Sequence, residues 1–127
     1  MHRKTIVIIE DDYDLAEVLT DILNLEGYDC AIWSSAQPLH ALNHPIDLIL
    51  CDMRLAHNTN GTEMLRQFRK DPLTRRIPFV MMSGVTDMVA IRRTMHQGAN
   101  YYLPKPFRIE HLLRVVTALT EPAVVNH

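Results

Sequence analysis

The sequence predicts an α/β fold, a parallel sheet covered by helices on both faces. Three observations predict it. Strand-length apolar runs alternate with segments of helical periodicity five times along the chain. The first run, Thr5 to Ile9, is apolar and β-branched, as a strand buried on both faces requires. With 127 residues, 47% of them hydrophobic and 22% charged, the chain has the size and apolar content of one domain with a real core.

The elements follow in order. After Thr5–Ile9, Leu15, Val18, Leu19, Ile22 and Leu23 recur at helical spacing, with Asp11 or Asp12 as N-cap and Gly27 as the stop. Tyr28, Cys30 and Ile32 alternate with Asp29, Ala31 and Trp33, a second strand. Ser34 with Gln37 forms a capping box for a short helix reaching about Leu42. Asp47 to Cys51 is a third strand, ended by Asp52. A polar loop containing Asn58, Asn60 and Gly61 leads into a helix from Thr62 to Lys70. Phe79 to Met82 is a fourth strand. Thr86 is expected to cap a helix that runs to Gln97 and stops at Gly98. Asn100 to Leu103 is a fifth strand, and Ile109, Leu112, Leu113, Val116 and Leu119 mark a closing helix. The domain is expected over residues 4–120, with 121–127 as a tail or clipped linker.

Composition excludes several classes. No apolar run approaches the ~18 residues of a membrane span, and Ile6 to Ile9 is too short for a secretory signal. Two cysteines make no disulfide framework, which fits a cytoplasmic protein. The net charge of −2 hides an imbalance: residues 1–63 hold eleven acids against three bases, and residues 64–127 four acids against ten bases. A general nucleic-acid binder would carry a net basic balance, and residues 121–127 contain no DNA-binding motif. Neither nucleic acid nor membrane is an expected partner.

In an open parallel sheet, binding sites form beyond the carboxyl ends of the strands. Those ends carry Glu10-Asp11, Asp52, Ser83 and Lys105. If the first and third strands are neighbours, carboxylates crowd together, and each pair at about 4 Å repels by ~4 kcal/mol at an effective dielectric near 20. An oxygen-seeking divalent cation relieves that repulsion. A metal beside a carboxylate, a lysine and a serine makes a phosphoryl-transfer site. Asp52 stands alone on its strand end and is the nucleophile candidate, leaving Glu10 and Asp11 to hold metal.

With these residues in place, the chain resembles the receiver domains of two-component response regulators. The carrying segments are TIVIIEDD (5–12), DLILCD (47–52), FVMMSG (79–84) and GANYYLPKPF (98–107), and the resemblance covers residues 4 to about 120. It implies a flavodoxin-like, doubly wound sheet of five parallel strands in the order 2-1-3-4-5. It implies that Glu10 and Asp11 bind Mg2+ or Mn2+ together with Asp52 and the backbone carbonyl of Arg54. Asp52 would be the phosphoacceptor, Ser83 the switch hydroxyl, Lys105 the phosphate-binding base, Pro106 a cis proline, and Tyr102 an aromatic that reorients as Ser83 closes on the phosphoryl group. The implied partner is a sensor histidine kinase or a histidine phosphotransfer protein. The domain would catalyse its own phosphorylation and dephosphorylation and act on no external substrate.

Three features depart from the family pattern: the loop after Asp52, Arg54 and Arg108. Ala56 replaces the usual proline four residues after Asp52, and Gly61 comes nine residues after it instead of eight, so the loop is longer and less rigid. Arg54 stands where short polar side chains are common, and its charge pairs with a phosphoryl group or with the acid cluster. Arg108 occupies the cap position of the last helix, where it cannot accept from free N–H groups, so that helix start is expected to be weak.

Rival readings fit less well. A flavin or nucleotide carrier cradles phosphate with backbone amides after the first strand, where this chain places Glu10-Asp11-Asp12. A turnover phosphatase wants a second acid at the position of Arg54. The alternative that stays open is a receiver-like interaction module that works without phosphorylation. Arg92, Arg93, Arg108 and Arg114 lie on or beside the last two helices flanking strand five. They offer a docking face for an acidic partner or a second receiver, or a solvated face partly paired with acids of the first helix. His40 and His44 read as solvent-facing, not as a metal pair. Cys30 and Cys51, two strand spacings or about 9.6 Å apart, are beyond disulfide reach. Met81, Met82 and Met95 read as core filling.

Overall fold

The computed structural model describes residues 3–34, 45–55 and 60–121. Nine elements follow one another: β1 (Thr5–Ile9), α1 (Tyr13–Leu25), β2 (Asp29–Trp33), β3 (Leu48–Asp52), α2 (Gly61–Lys70), β4 (Phe79–Ser83), α3 (Met88–His96), β5 (Tyr101–Pro104) and α4 (Ile109–Thr120). The strands form one parallel sheet in the order β2-β1-β3-β4-β5. The helix from the Ser34–Gln37 capping box, with His40 and His44, falls outside the described residues.

The apolar runs serve both faces because alternate strand residues point to opposite sides. Ile6, Ile8, Leu48, Leu50, Val80, Met82 and Leu103 pack with Ala16, Leu19 and Leu23 of α1 and Leu112, Val115 and Val116 of α4. Val7, Ile9, Ile49, Cys51, Phe79 and Met81 pack against Met64, Leu65 and Phe68 of α2, with Ile91 of α3 at the edge. Phe68 anchors that second core, its ring 6.4 Å from Trp33 and 6.0 Å, edge-on, from Phe79. Cys30 and Cys51 are free thiols on β2 and β3, with β1 between those strands. Burial pushes the Cys30 thiol up to about 11, reinforced by the charge of Asp29.

Three of the four described helices start on a capping side chain. Asp12, Asn60 and Asp87 accept from the backbone N–H of Leu15, Glu63 and Val89 at 3.2, 2.9 and 3.0 Å. α3 thus begins one residue later than expected, because the carboxylate of Asp87 reaches a free N–H and makes the cap in place of Thr86. Arg108 makes no side-chain cap at α4. The chain leaves α1 and α3 through Gly27 and Gly98, whose φ values are 97° and 111°.

Periodicity misplaces several apolar residues. Val18 on α1, Met95 on α3 and Ile109 on α4 are exposed, not core. The reason is geometric: each helix lies on one side of the sheet, so residues at the rim of its apolar stripe meet solvent. The sequence reading also passed over Arg69. Its guanidinium donates to the carbonyls of Gly98, Arg75 and Ile77 and to Asn100 Oδ1, tying the end of α2 to the segments before β4 and β5. Arg92, Arg93, Arg108 and Arg114 are exposed, and among the described residues none pairs with an acid of α1. No helix among the described residues is long and apolar enough to cross a membrane.

Candidate functional site

Strand register assembles the site. Ile9 is level with Cys51, Asp52 with Met82, and Ser83 with Pro104. The residues at or just past these positions are Glu10, Asp52, Ser83 and Lys105, which meet at one sheet edge. Glu10, Asp52 and Ser83 are buried there and Lys105 is half-buried.

The centre of the cluster is an ammonium held between two carboxylates. Lys105 Nζ lies 3.3 Å from Glu10 Oε2 and 3.3 Å from Asp52 Oδ1. The other Glu10 oxygen accepts from the Asp12 N–H at 3.1 Å. Burial raises the Glu10 carboxyl above its ordinary value and the Asp52 charge adds to the rise, while the Asp12 N–H and Lys105 oppose it. Sequence places three carboxylates, Glu10, Asp11 and Asp52, at this strand edge. Two share one ammonium and Asp11 is half-exposed at the rim, so among the described residues no three acids, imidazoles or thiols gather at metal-binding spacing. The long Lys105 side chain reaches between the strand ends, and its charge takes up part of the repulsion assigned to a dication. One negative charge of the pair is left uncompensated, and every donor is a hard oxygen, a set that suits a divalent cation such as Mg2+.

Asp52, Arg54, Ser83, Gly84, Val85 and Lys105 line a cleft of about 280 Å³. Arg54 is exposed at the cleft, with its backbone N–H directed at Asp52 Oδ1 from 3.4 Å. Beneath Asp52 the start of α2 presses on the strand end. A Cβ on Gly61 would stand 2.6 Å from the Asp52 carbonyl oxygen and 2.9 Å from the Met53 Cα, so only glycine fits without a shift.

A second set of bonds runs from Ser83 to the β5 flank. Ser83 Oγ accepts from the Val85 N–H at 2.9 Å, and the Tyr102 hydroxyl donates to the Val85 carbonyl at 2.9 Å. Tyr102 is thereby buried and tethered to the residue that holds Ser83. Val85 escaped the sequence reading, though a hydroxyl two residues upstream was a usable signal, since serine side chains commonly accept from the N–H at that distance. The Lys105 N–H donates to the Ser83 carbonyl at 2.8 Å, and the Lys105–Pro106 peptide bond is cis.

Comparison with known proteins agrees with this geometry. The family model for the response regulator receiver domain matches residues 6–117. The DNA-binding response regulator MtrA of Mycobacterium tuberculosis is 36% identical over 118 residues, covering 91% of this chain and 50% of MtrA. The chain thus spans about half the length of the curated relatives it matches. A putative response regulator from Chloroflexus aurantiacus superposes with a TM-score of 0.79 at 29% identity, covering 94% of this chain and 98% of that one. The receiver domain of the sensor histidine kinase PA1611 from Pseudomonas aeruginosa, solved with magnesium in its active-site cleft, gives a TM-score of 0.78 at 24% identity, covering 94% and 98%, and shows likeness of fold. Since the family model spans residues 6–117, nearly the whole chain, this chain belongs to the response regulator receiver domain family.

Proposed function

We propose that this chain is a phosphoacceptor switch in which Asp52 takes a phosphoryl group from a phosphohistidine. The donor is a sensor histidine kinase or a histidine phosphotransfer protein. The observation that carries the reading is the Lys105 ammonium, 3.3 Å from Asp52 and 3.3 Å from Glu10, in a cleft that Ser83 also lines. The receiver unit is residues 4–120, and its place of action is the cytoplasm.

A carboxylate oxygen of Asp52 attacks phosphorus in line. The P–O bond forms as the P–N bond breaks, and the departing imidazole keeps the electron pair and gains a proton. Negative charge on the equatorial oxygens draws Lys105 from Asp52 Oδ1 to the phosphoryl group. Glu10, Asp11, Asp52 and the Arg54 backbone carbonyl are the donors that would hold Mg2+ or Mn2+, which when bound supplies positive charge against the acids and the phosphoryl oxygens. The Ser83 hydroxyl turns from the Val85 N–H to donate to a phosphoryl oxygen. Val85 moves with it, and the Tyr102 hydroxyl on the Val85 carbonyl follows. The face of α3, β5 and α4, with exposed Arg92, Arg93, Arg108 and Arg114, then presents a changed surface to an acidic partner or a second receiver. Hydrolysis of the acyl phosphate resets the switch, and no external substrate is turned over.

The test is incubation with a small acyl phosphate, with and without Mg2+, followed by intact mass. One phosphoryl group is expected on the natural protein with Mg2+ and none on Asp52→Asn. A gain that persists in Asp52→Asn removes Asp52 from the chemistry. No gain in either protein with Mg2+ present supports an interaction module that works unphosphorylated.

A further inference from the structure

We infer that the turn after α2 and the outward stripe of α1 are complementary surfaces on which two copies of this chain dock head to tail. The turn is rigid. The Asp71 carboxylate accepts from the Leu73 N–H at 2.9 Å, Thr74 Oγ1 donates to the Phe68 carbonyl at 2.7 Å, and Arg69 holds the carbonyls of Arg75 and Ile77 at 3.1 and 2.7 Å. So held, Leu73 projects with 85% of its surface exposed, beside a groove walled by Pro72, Ile77, Pro78 and Leu119. Lys70, Arg75 and Arg76 are exposed on the same segment, and among the described residues none has an ion-pair partner.

The matching surface is on α1. Asp14, Glu17, Val18, Asp21 and Leu25 recur at helical spacing and are all exposed, Val18 by 53% and Leu25 by 87%. The three acids have no ion-pair partner among the described residues. Scattered apolar residues on a surface mean little. Here Leu73 is flanked by the three unpaired bases, while the nearby acids Asp71 and Asp47 each accept from a backbone N–H, of Leu73 and Thr5, and the unpaired charges around Val18 and Leu25 are acidic. A nucleic-acid backbone would satisfy the bases but offers Leu73 no apolar seat, whereas Val18 and Leu25 do. α1 covers one face of the sheet and α2 the other. The contact therefore joins two different surfaces, leaving a free turn at one end of the pair and a free stripe at the other.

Sedimentation velocity of the chain from micromolar to millimolar concentration tests this. Mean mass should rise with concentration at about 50 mM salt, with the association constant falling at least about tenfold by about 500 mM. Two variants sharpen the test: Leu73→Ser/Arg75→Gln/Arg76→Gln at the turn, and Asp14→Asn/Glu17→Gln/Asp21→Asn on the stripe. Each alone should be monomeric. Mixed, they should form a one-to-one pair that grows no further, because only the first keeps an intact stripe and only the second an intact turn. A natural protein that stays monomeric throughout, or a mixture that fails to pair, overturns the inference. So does association abolished by Arg92→Gln/Arg93→Gln but not by the turn variant, since the contact then lies on the α3 flank. None of these readouts depends on phosphorylation, so failure here leaves the role of Asp52 standing, and the converse holds.

Discussion

The end of β3, which lines the cleft, and the helix α3, which follows the cleft segment Ser83–Val85 in the chain, are built in opposite ways. Around Asp52 every constraint is tertiary. The strand is buried on both faces, the start of α2 approaches to where a single methyl group would collide, and Lys105 bridges to Glu10 just past β1. α3 buries only Thr94, whose hydroxyl is satisfied by the Ala90 carbonyl of the same helix, and it exposes Met88, Val89 and Met95. A phosphoryl site needs groups fixed to a fraction of an ångström, while a surface that reports on it must have two arrangements close in energy. On the proposed phosphoacceptor reading, the contrast puts the rigid chemistry on the strand ends and the adjustable element beside them.

Substitutions on each side measure that contrast. Gly61→Ala should have the largest effect, about 2 kcal/mol in denaturant melts, with slower phosphorylation, because the added methyl displaces the Asp52–Met53 backbone. A fully stable Gly61→Ala protein would mean that the strand end yields easily and is not the rigid half. Asp87→Ala, which removes the cap of α3, should cost about 1 kcal/mol and speed hydrogen exchange in α3 ahead of the sheet. Uniform acceleration across the domain would show α3 opening only with global unfolding. Met95→Ala should change stability by no more than about 0.5 kcal/mol. A cost matching that of Gly61→Ala would show α3 packed as tightly as the strand end.

What the sequence determined by itself lies within a few residues along the chain. The apolar run Thr5–Ile9, an acid cap at Asp11 or Asp12, the stops at Gly27 and Gly98 and the polar residues closing the strands are local patterns, since capping and periodicity act over one helical turn or one strand. Strand alternation with helices gave the parallel sheet, and the family segments gave its order. Local pattern failed where two neighbours competed, as with Thr86 and Asp87, or where the rim of an apolar stripe met solvent, as with Val18 and Met95. Only the tertiary structure decided that Lys105 stands between Glu10 and Asp52, that Tyr102 is tied to Ser83 through Val85, and that Arg69 reaches the Gly98 carbonyl and Asn100 Oδ1 before β5. Those contacts depend on which strands lie side by side and in what register, a long-range pairing that no window of sequence contains.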